Sequence, residues 1–322
     1  MRLFAAALLL TPSCSKLIKV NVVGGCTPEG FGLVGDCSSN QTYCSCNLLG
    51  ALVAASAVTG EDVTIELPSG DHTLCNIGGY KTGIGGVTVN DTSTALTLSA
   101  PAGAQLVEFV DGHGVAAYGS GTLLEAKHHN LTLTGITLKG GVEDYGHTGG
   151  LSVDVGASVV LNQCGFDANI CHDCMQGEGG GSIQNWGTVH MRGGYISNSM
   201  GGCADGGCAA GGAIYNGGTM SVDGVEFVSN TAPVVGDGGA IANFGNLTVS
   251  NAIFSQNKAG GKGAAIFSCA AANCGGQDSN TCSQVQNTFD NNTGCTGGVD
   301  PTGNKSWIVC KSASDGADVI GC

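Results

Sequence analysis

Three groups of side chains carry chemistry by type and spacing. Glu143, Asp144 and His147 share one short Gly-rich stretch, and two carboxylates beside an imidazole exchange protons near neutral pH. Cys171-His172-Asp-Cys174 offers two sulfurs and a ring nitrogen, a spacing that zinc accepts once a further thiolate joins. Cys203 with Cys208, and Cys269 with Cys274, Cys282 and Cys295, form further clusters in a chain of 17 cysteines. Bridges among these eight cysteines, counting Cys171 and Cys174, are a simpler reading than metal binding. Loop charges are usually solvated, so no catalytic residue, metal ligand or cofactor is assigned from these groups. His128-His129 does not change this, because adjacent residues of an extended chain point to opposite faces.

The scaffold behind these residues is unusual in composition. The 322 residues include 57 glycines and 6 prolines, with only 11% charged and 42% apolar. That apolar share supports a long core and argues against disorder, while the glycines keep no three-residue period and so exclude collagen. A net charge of −14 argues against nucleic acid, whose phosphates need clustered Lys and Arg.

A repeat explains the glycines. Leu131-Thr-Leu-Thr-Gly-Ile-Thr-Leu, Val159-Val-Leu-Asn-Gln-Cys-Gly-Phe, Val189-His-Met-Arg-Gly-Gly-Tyr (one residue shorter), Met220-Ser-Val-Asp-Gly-Val-Glu-Phe and Leu247-Thr-Val-Ser-Asn-Ala-Ile-Phe start 28, 30, 31 and 27 residues apart. Each alternates like a strand, breaks at glycine or a polar residue, and resumes. An aromatic-x-x-Asn anchor follows, placing Asn169, Asn198, Asn230 and Asn257 in one column, which is read as an internal amide ladder satisfying corner backbone groups. A Gly-Gly anchor comes next (Gly180, Gly211 and Gly238 with their successors), ending at Asn185, Asn216 and Asn243, where Asn is expected to adopt a left-handed turn. Three short strands and three corners per repeat predict an all-β, right-handed parallel β-helix of about 7–8 coils over residues 60–292.

The ends are expected to cap this solenoid. Residues 1–15 have the charge, apolar run and small-residue exit of a secretory signal. Its removal discards Cys14 and leaves sixteen cysteines, an even number that suits bridging outside the cell. Residues 16–59 are read as a Cys-rich cap containing a short helix, and 293–322 as a second cap. No later run is long enough to cross a membrane. Sequons begin at Asn40, Asn90, Asn130, Asn246, Asn291 and Asn304, which would accept glycans in an exported eukaryotic protein.

Gly-Gly-Ala-Ile at 211 and 238, alternating with Phe-x-x-Asn at 227 and 254, resembles the repeats of chlamydial polymorphic membrane proteins, and the wider pattern resembles the pectate-lyase-like solenoids. The first resemblance implies an adhesive or structural role for a secreted or cell-surface protein facing a matrix, wall or carbohydrate ligand. The second implies the alternative, a polysaccharide lyase or glycoside hydrolase, with calcium as a possible cofactor. Against the enzyme, Gly112-His113-Gly114 is a single short match to the polygalacturonase-like hydrolases. Arg192, the only arginine after Arg2, is expected to pair on the surface with Asp223.

Overall fold

The computed structural model describes residues 16–20, 33–37, 42–45, 51, 55, 58–74, 87–89, 95–108, 122–127, 130–143, 148–172, 179–202, 211–232, 236–261, 263–268, 282–285, 287–290, 292 and 308–309. The fold is an all-β parallel solenoid, and the crossover preference of parallel strands makes its winding right-handed. Among the described residues the strands form three sheets of 15, 5 and 8 strands, the smallest confined to the central turns. Five consecutive turns place a strand in all three, the first being Asn130–Lys139, Val142–Glu143 and Leu151–Val153. The described solenoid thus has about five complete turns where seven or eight coils were expected; strands such as Val87–Val89 and Leu96–Glu108 extend two of the sheets before this block. Lys16–Val20 pairs in parallel with Val63–Glu66 and extends the long sheet at its N-terminal end. Ala51 and Ala55 are helical and buried against the same core.

Strand register stacks like on like. Leu131, Val159, Val189, Met220 and Leu247 are successive partners and all are buried, as are Leu133, Leu161, Met191, Val222 and Val249 two residues on. The chain then turns through positive φ at Gly135, Gln163, Gly193 with Gly194, Gly224 and Asn251, which is the break expected in each repeat. Beyond it Leu138, Phe166, Ile196, Phe227 and Phe254 point inward. The rings of Phe227, Phe254 and Phe289 stack at 4.6 and 5.0 Å. Burying each such side chain contributes about 1.5–3 kcal/mol.

One coil corrects the repeat alignment. Tyr195 is level with Gly165 and Glu226, and Ile196 takes the Phe166 and Phe227 position. The third repeat is therefore not shorter. Its inward slot requires a hydrophobe, and Ile fills it, while Tyr195 lies outside at 38% exposure. Ser199, not Asn198, enters the amide column. Its backbone N–H donates to Asn230 Oδ1 at 3.1 Å, and Asn198 sits outside at positive φ, donating to Asp167.

The ladder itself exists. Asn230 Nδ2 donates to Asn257 Oδ1 at 2.9 Å, Asn257 Nδ2 to Asn292 Oδ1 at 2.8 Å, and each Oδ1 also receives the backbone N–H of the preceding asparagine. Asn185, Asn216 and Asn243 form a second one, with Nδ2 to Oδ1 distances of 2.7 and 2.6 Å. The expectation that these three adopt left-handed turns is not met, since none has positive φ. The Gly-Gly corners serve close approach instead: a Cβ on Gly212 would collide with Gly239 O and lie 2.7 Å from the Thr231 backbone.

Candidate functional site

The anticipated site residues are only partly brought together. Glu143 ends a strand of the five-stranded sheet, buried and level with Cys171, and its carbonyl accepts the His172 N–H at 2.9 Å. Asp144 and His147 lie outside the described residues. Cys171 is buried and disulfide-bonded, so its sulfur is no free thiolate for zinc, and His172 is exposed. Cys174, Cys203, Cys208, Cys269, Cys274 and Cys295 are likewise outside the described residues, and Cys282 begins the strand Cys282–Val285. Among the described residues no three His, Cys, Asp or Glu side chains are grouped to hold a metal, and no helix is long and apolar enough to cross a membrane. Of the sequons, Asn130 is exposed and Asn246 half-buried at the starts of their strands; Asn40, Asn90, Asn291 and Asn304 are not among the described residues.

Cys164 alters the cysteine arithmetic. It is a buried free thiol donating to Leu133 O at 3.3 Å, and burial pushes its pKa up to about 11. With Cys164 set aside, loss of Cys14 leaves fifteen cysteines, an odd number, so parity gives no support to removal of residues 1–15.

The outer face of the eight-stranded sheet gathers a polar and aromatic row that the motifs did not suggest. Strands alternate, so with Ile183, Ile214, Ile241 and Ile266 turned to the core, the next residue of each strand points to the other side of the sheet, where Ser152, Gln184, Tyr215, Ala242 and Phe267 are nonetheless buried, each at most 6% exposed, while Trp186 and Phe244 beside them are half-buried. Across the strands the residues on that side are Glu125, Ser152, Gln184, Tyr215, Ala242 and Phe267, each level with the next. Trp186 and Phe244 follow the ladder asparagines, and Gly217 stands in the same place on the coil between them. A Cβ there would overlap the Trp186 ring, so this glycine lets Trp186 reach Tyr215 at 5.4 Å. Tyr215 stacks on Phe244 at 5.2 Å, and Phe244 meets Phe267 at 5.9 Å. The ring row thus spans four coils.

At the other end of this row the groups are polar. Lys127 Nζ lies 3.0 Å from Glu125 Oε1. Ser152 Oγ is buried with no hydrogen-bond partner among the described residues, a condition that costs about 1–3 kcal/mol. The signal lies in the repeats, in the residues flanking the shared Ile and Asn (Gln184 and Trp186, Tyr215 and Gly217, Ala242 and Phe244), which vary from coil to coil while the Ile and Asn recur.

On the long sheet, Asp167 and Asp223 each cap the following coil. Burial works to raise the Asp167 carboxyl, but hydrogen bonds from Asn198 and Ser197 and the nearby Lys139 hold it below its ordinary range. Hydrogen bonds from Asn251 and Ser250 at 2.7 and 2.8 Å do the same for Asp223. Arg192 is level with Asp223, but the expected ion pair between them is not formed, and Arg192 is the smallest contributor to lowering that carboxyl.

No family model matches the chain, and no curated protein does so. Among solved structures it is similar to the pectin methylesterase of Aspergillus niger in deglycosylated form, at 13% identity over 91% of this chain and 93% of that one, with a TM-score of 0.37. No functional argument rests on that likeness.

Proposed function

We propose that the protein is an extracellular β-solenoid that binds a polymeric carbohydrate across the outer face of its eight-stranded sheet. The observation that carries this reading is the pair of half-buried rings, Trp186 and Phe244, both seated on the buried Tyr215, with the half-buried Glu125 and Lys127 further along the same face. Sugars present apolar C–H faces that pack on flat rings and hydroxyls that need donors and acceptors; ligand sites combine an aromatic lining with a few placed polar groups in this way. Adhesion to a matrix or wall, which the repeat resemblance implies, would follow from such a surface.

Glycoside hydrolysis asks for more. It uses two carboxyl groups roughly 5–9.5 Å apart. Glu125 and Asp154, which takes the Trp186 position one coil earlier, are the carboxylates along this row, and Glu143 stands on a different sheet. Binding is proposed for this face because the half-buried rings of Trp186 and Phe244 lie on it, and cleavage by the two carboxylates is the outcome the test below separates from it.

The test is binding of purified full-length chain to a panel of neutral and acidic polysaccharides by affinity electrophoresis, with reducing ends counted in the same samples. Trp186→Ala is expected to weaken retardation about tenfold, the scale of one lost ring contact. Absence of binding across the panel, or unchanged binding by Trp186→Ala and Phe244→Ala, defeats the proposal; new reducing ends would establish the hydrolase alternative.

A further inference from the structure

We propose that His190 and Ser221 form a hydrolytic dyad for acyl esters on the outer face of the long sheet. The two are 31 positions apart in sequence and level on adjacent strands, with His190 Nδ1 2.7 Å from Ser221 Oγ. That is the reach at which an imidazole takes the proton of an attacking hydroxyl. In the Nε2-protonated tautomer Ser221 donates to Nδ1, the direction the reaction needs. Val160 precedes His190 at the same level and offers no side-chain hydrogen bond to compete for the ring. Both residues are half-buried, which seats them without closing them to solvent.

The neighbouring positions supply charge. Arg192 and Asp223 lie two residues further along the same two strands and on the same face. Asp223 Oδ1 accepts from both Ser250 and Asn251, so its carboxylate is held by the next coil, leaving Arg192 exposed beside the dyad. A guanidinium there can meet the oxygen of an ester carbonyl as negative charge builds on it. Tyr195 lies beyond, its Cζ within 2.7 Å of where a Cβ on Gly165 would stand, so the ring rests flat against the sheet and stays 38% exposed.

The chemistry balances with water alone. Ser221 Oγ bonds to the ester carbonyl carbon while its proton passes to His190 Nδ1. The ester C–O bond breaks, and His190 returns that proton to the departing alcohol. Water, deprotonated by His190, then attacks the acyl-serine, releasing the carboxylic acid and restoring Ser221. The substrate class is a small acyl ester exposed on a larger molecule, since an open sheet face accommodates a polymer bearing such groups.

The site shares no residue with the aromatic row, so the two proposals fail independently. The experiment treats full-length protein with an alkyl fluorophosphonate and maps the adduct by mass spectrometry, alongside hydrolysis of p-nitrophenyl acetate. The expected outcome is an adduct on Ser221, turnover abolished in Ser221→Ala, and turnover reduced about a hundredfold in His190→Gln and about tenfold in Arg192→Gln. Both dyad side chains face outward, and circular dichroism of each variant checks that the fold is retained. An unmodified Ser221, or Ser221→Ala hydrolysing ester at the parent rate, overturns the dyad; in the second case a surface imidazole acting alone is the catalyst.

Discussion

Replacing Asn257 by Ala tests the account of what holds the coils together. The residue is fully buried, and its side chain makes four hydrogen bonds: Nδ2 to Phe227 O at 3.0 Å and Asn292 Oδ1 at 2.8 Å, and Oδ1 from the Asn230 N–H at 3.1 Å and Asn230 Nδ2 at 2.9 Å. Truncation strips an acceptor from the buried Asn230 N–H, at about 1–3 kcal/mol, and forfeits the other bonds at about 0.5–1.5 kcal/mol each. Allowing for relaxation, the expected loss is about 3–5 kcal/mol. Asn198→Gly is the control. That asparagine occupies the same place in the aromatic-x-x-Asn motif, yet it stands outside with one exposed bond to Asp167, and glycine tolerates its φ of 54°. Its loss should stay within about 0.5–1 kcal/mol. The assay is chemical denaturation with disulfides intact, compared at constant slope. A cost below about 1 kcal/mol for Asn257→Ala, or an equal cost for Asn198→Gly, would refute the reasoning.

Two further outcomes follow from the same coordinates. Burial raises the Cys164 thiol from 9.0 to about 11, so folding favours the protonated form; stability is whole below about pH 9 and falls by about 2–3 kcal/mol as pH rises through 11. Cys164→Ala should lack that alkaline loss, and denaturation midpoints of the two proteins across this range will show whether it does. Gly212→Ala forces a methyl into the Gly239 carbonyl and should severely reduce folded yield, whereas Gly60→Ala, with nothing within 4 Å and a φ of 72°, should cost only about 1–2 kcal/mol of backbone strain. Soluble expression and melting temperature distinguish the two.

Much of this architecture was legible because a solenoid repeats its physics. Inward positions recur every 27 to 31 residues, and the break at Gly135, Gln163, Gly193, Gly224 and Asn251 appears as a glycine or polar residue in each copy. An aromatic marker for the inward slot puts the third coil out of register by one residue. What the slot selects is a buried hydrophobe, so Ile196 satisfies it and Tyr195 is released to the surface. Asn198 misled in the same way: two polar residues, Asn198 and Ser199, compete for one corner, and spacing alone cannot say which turns in. The corner's left-handed residue is the one before the ladder position, as Ala168, Ser229 and Gln256 show, and this rule names Ser199 once Asn198 is seen at positive φ. The surface sites were less visible. His190 and Ser221 stand next to each other only through the winding of the chain, and the half-buried Trp186 and Phe244 follow constant asparagines whose recurrence reports the interior.

Cys164 also constrains the order in which the molecule is made. Its seclusion depends on two neighbouring turns, because the sulfur hangs on Leu133 O in Asn130–Lys139 while its own strand is Ser158–Asp167. Until those turns dock, in any compartment that oxidises thiols, Cys164 is one more nucleophile in a crowd of cysteines and can capture a partner belonging to another. A bridge formed to this thiol would keep its sulfur from Leu133 O and the two turns from docking. Correct maturation therefore favours stacking of the Asn130–Lys139 and Ser158–Asp167 turns before Cys171 is bridged.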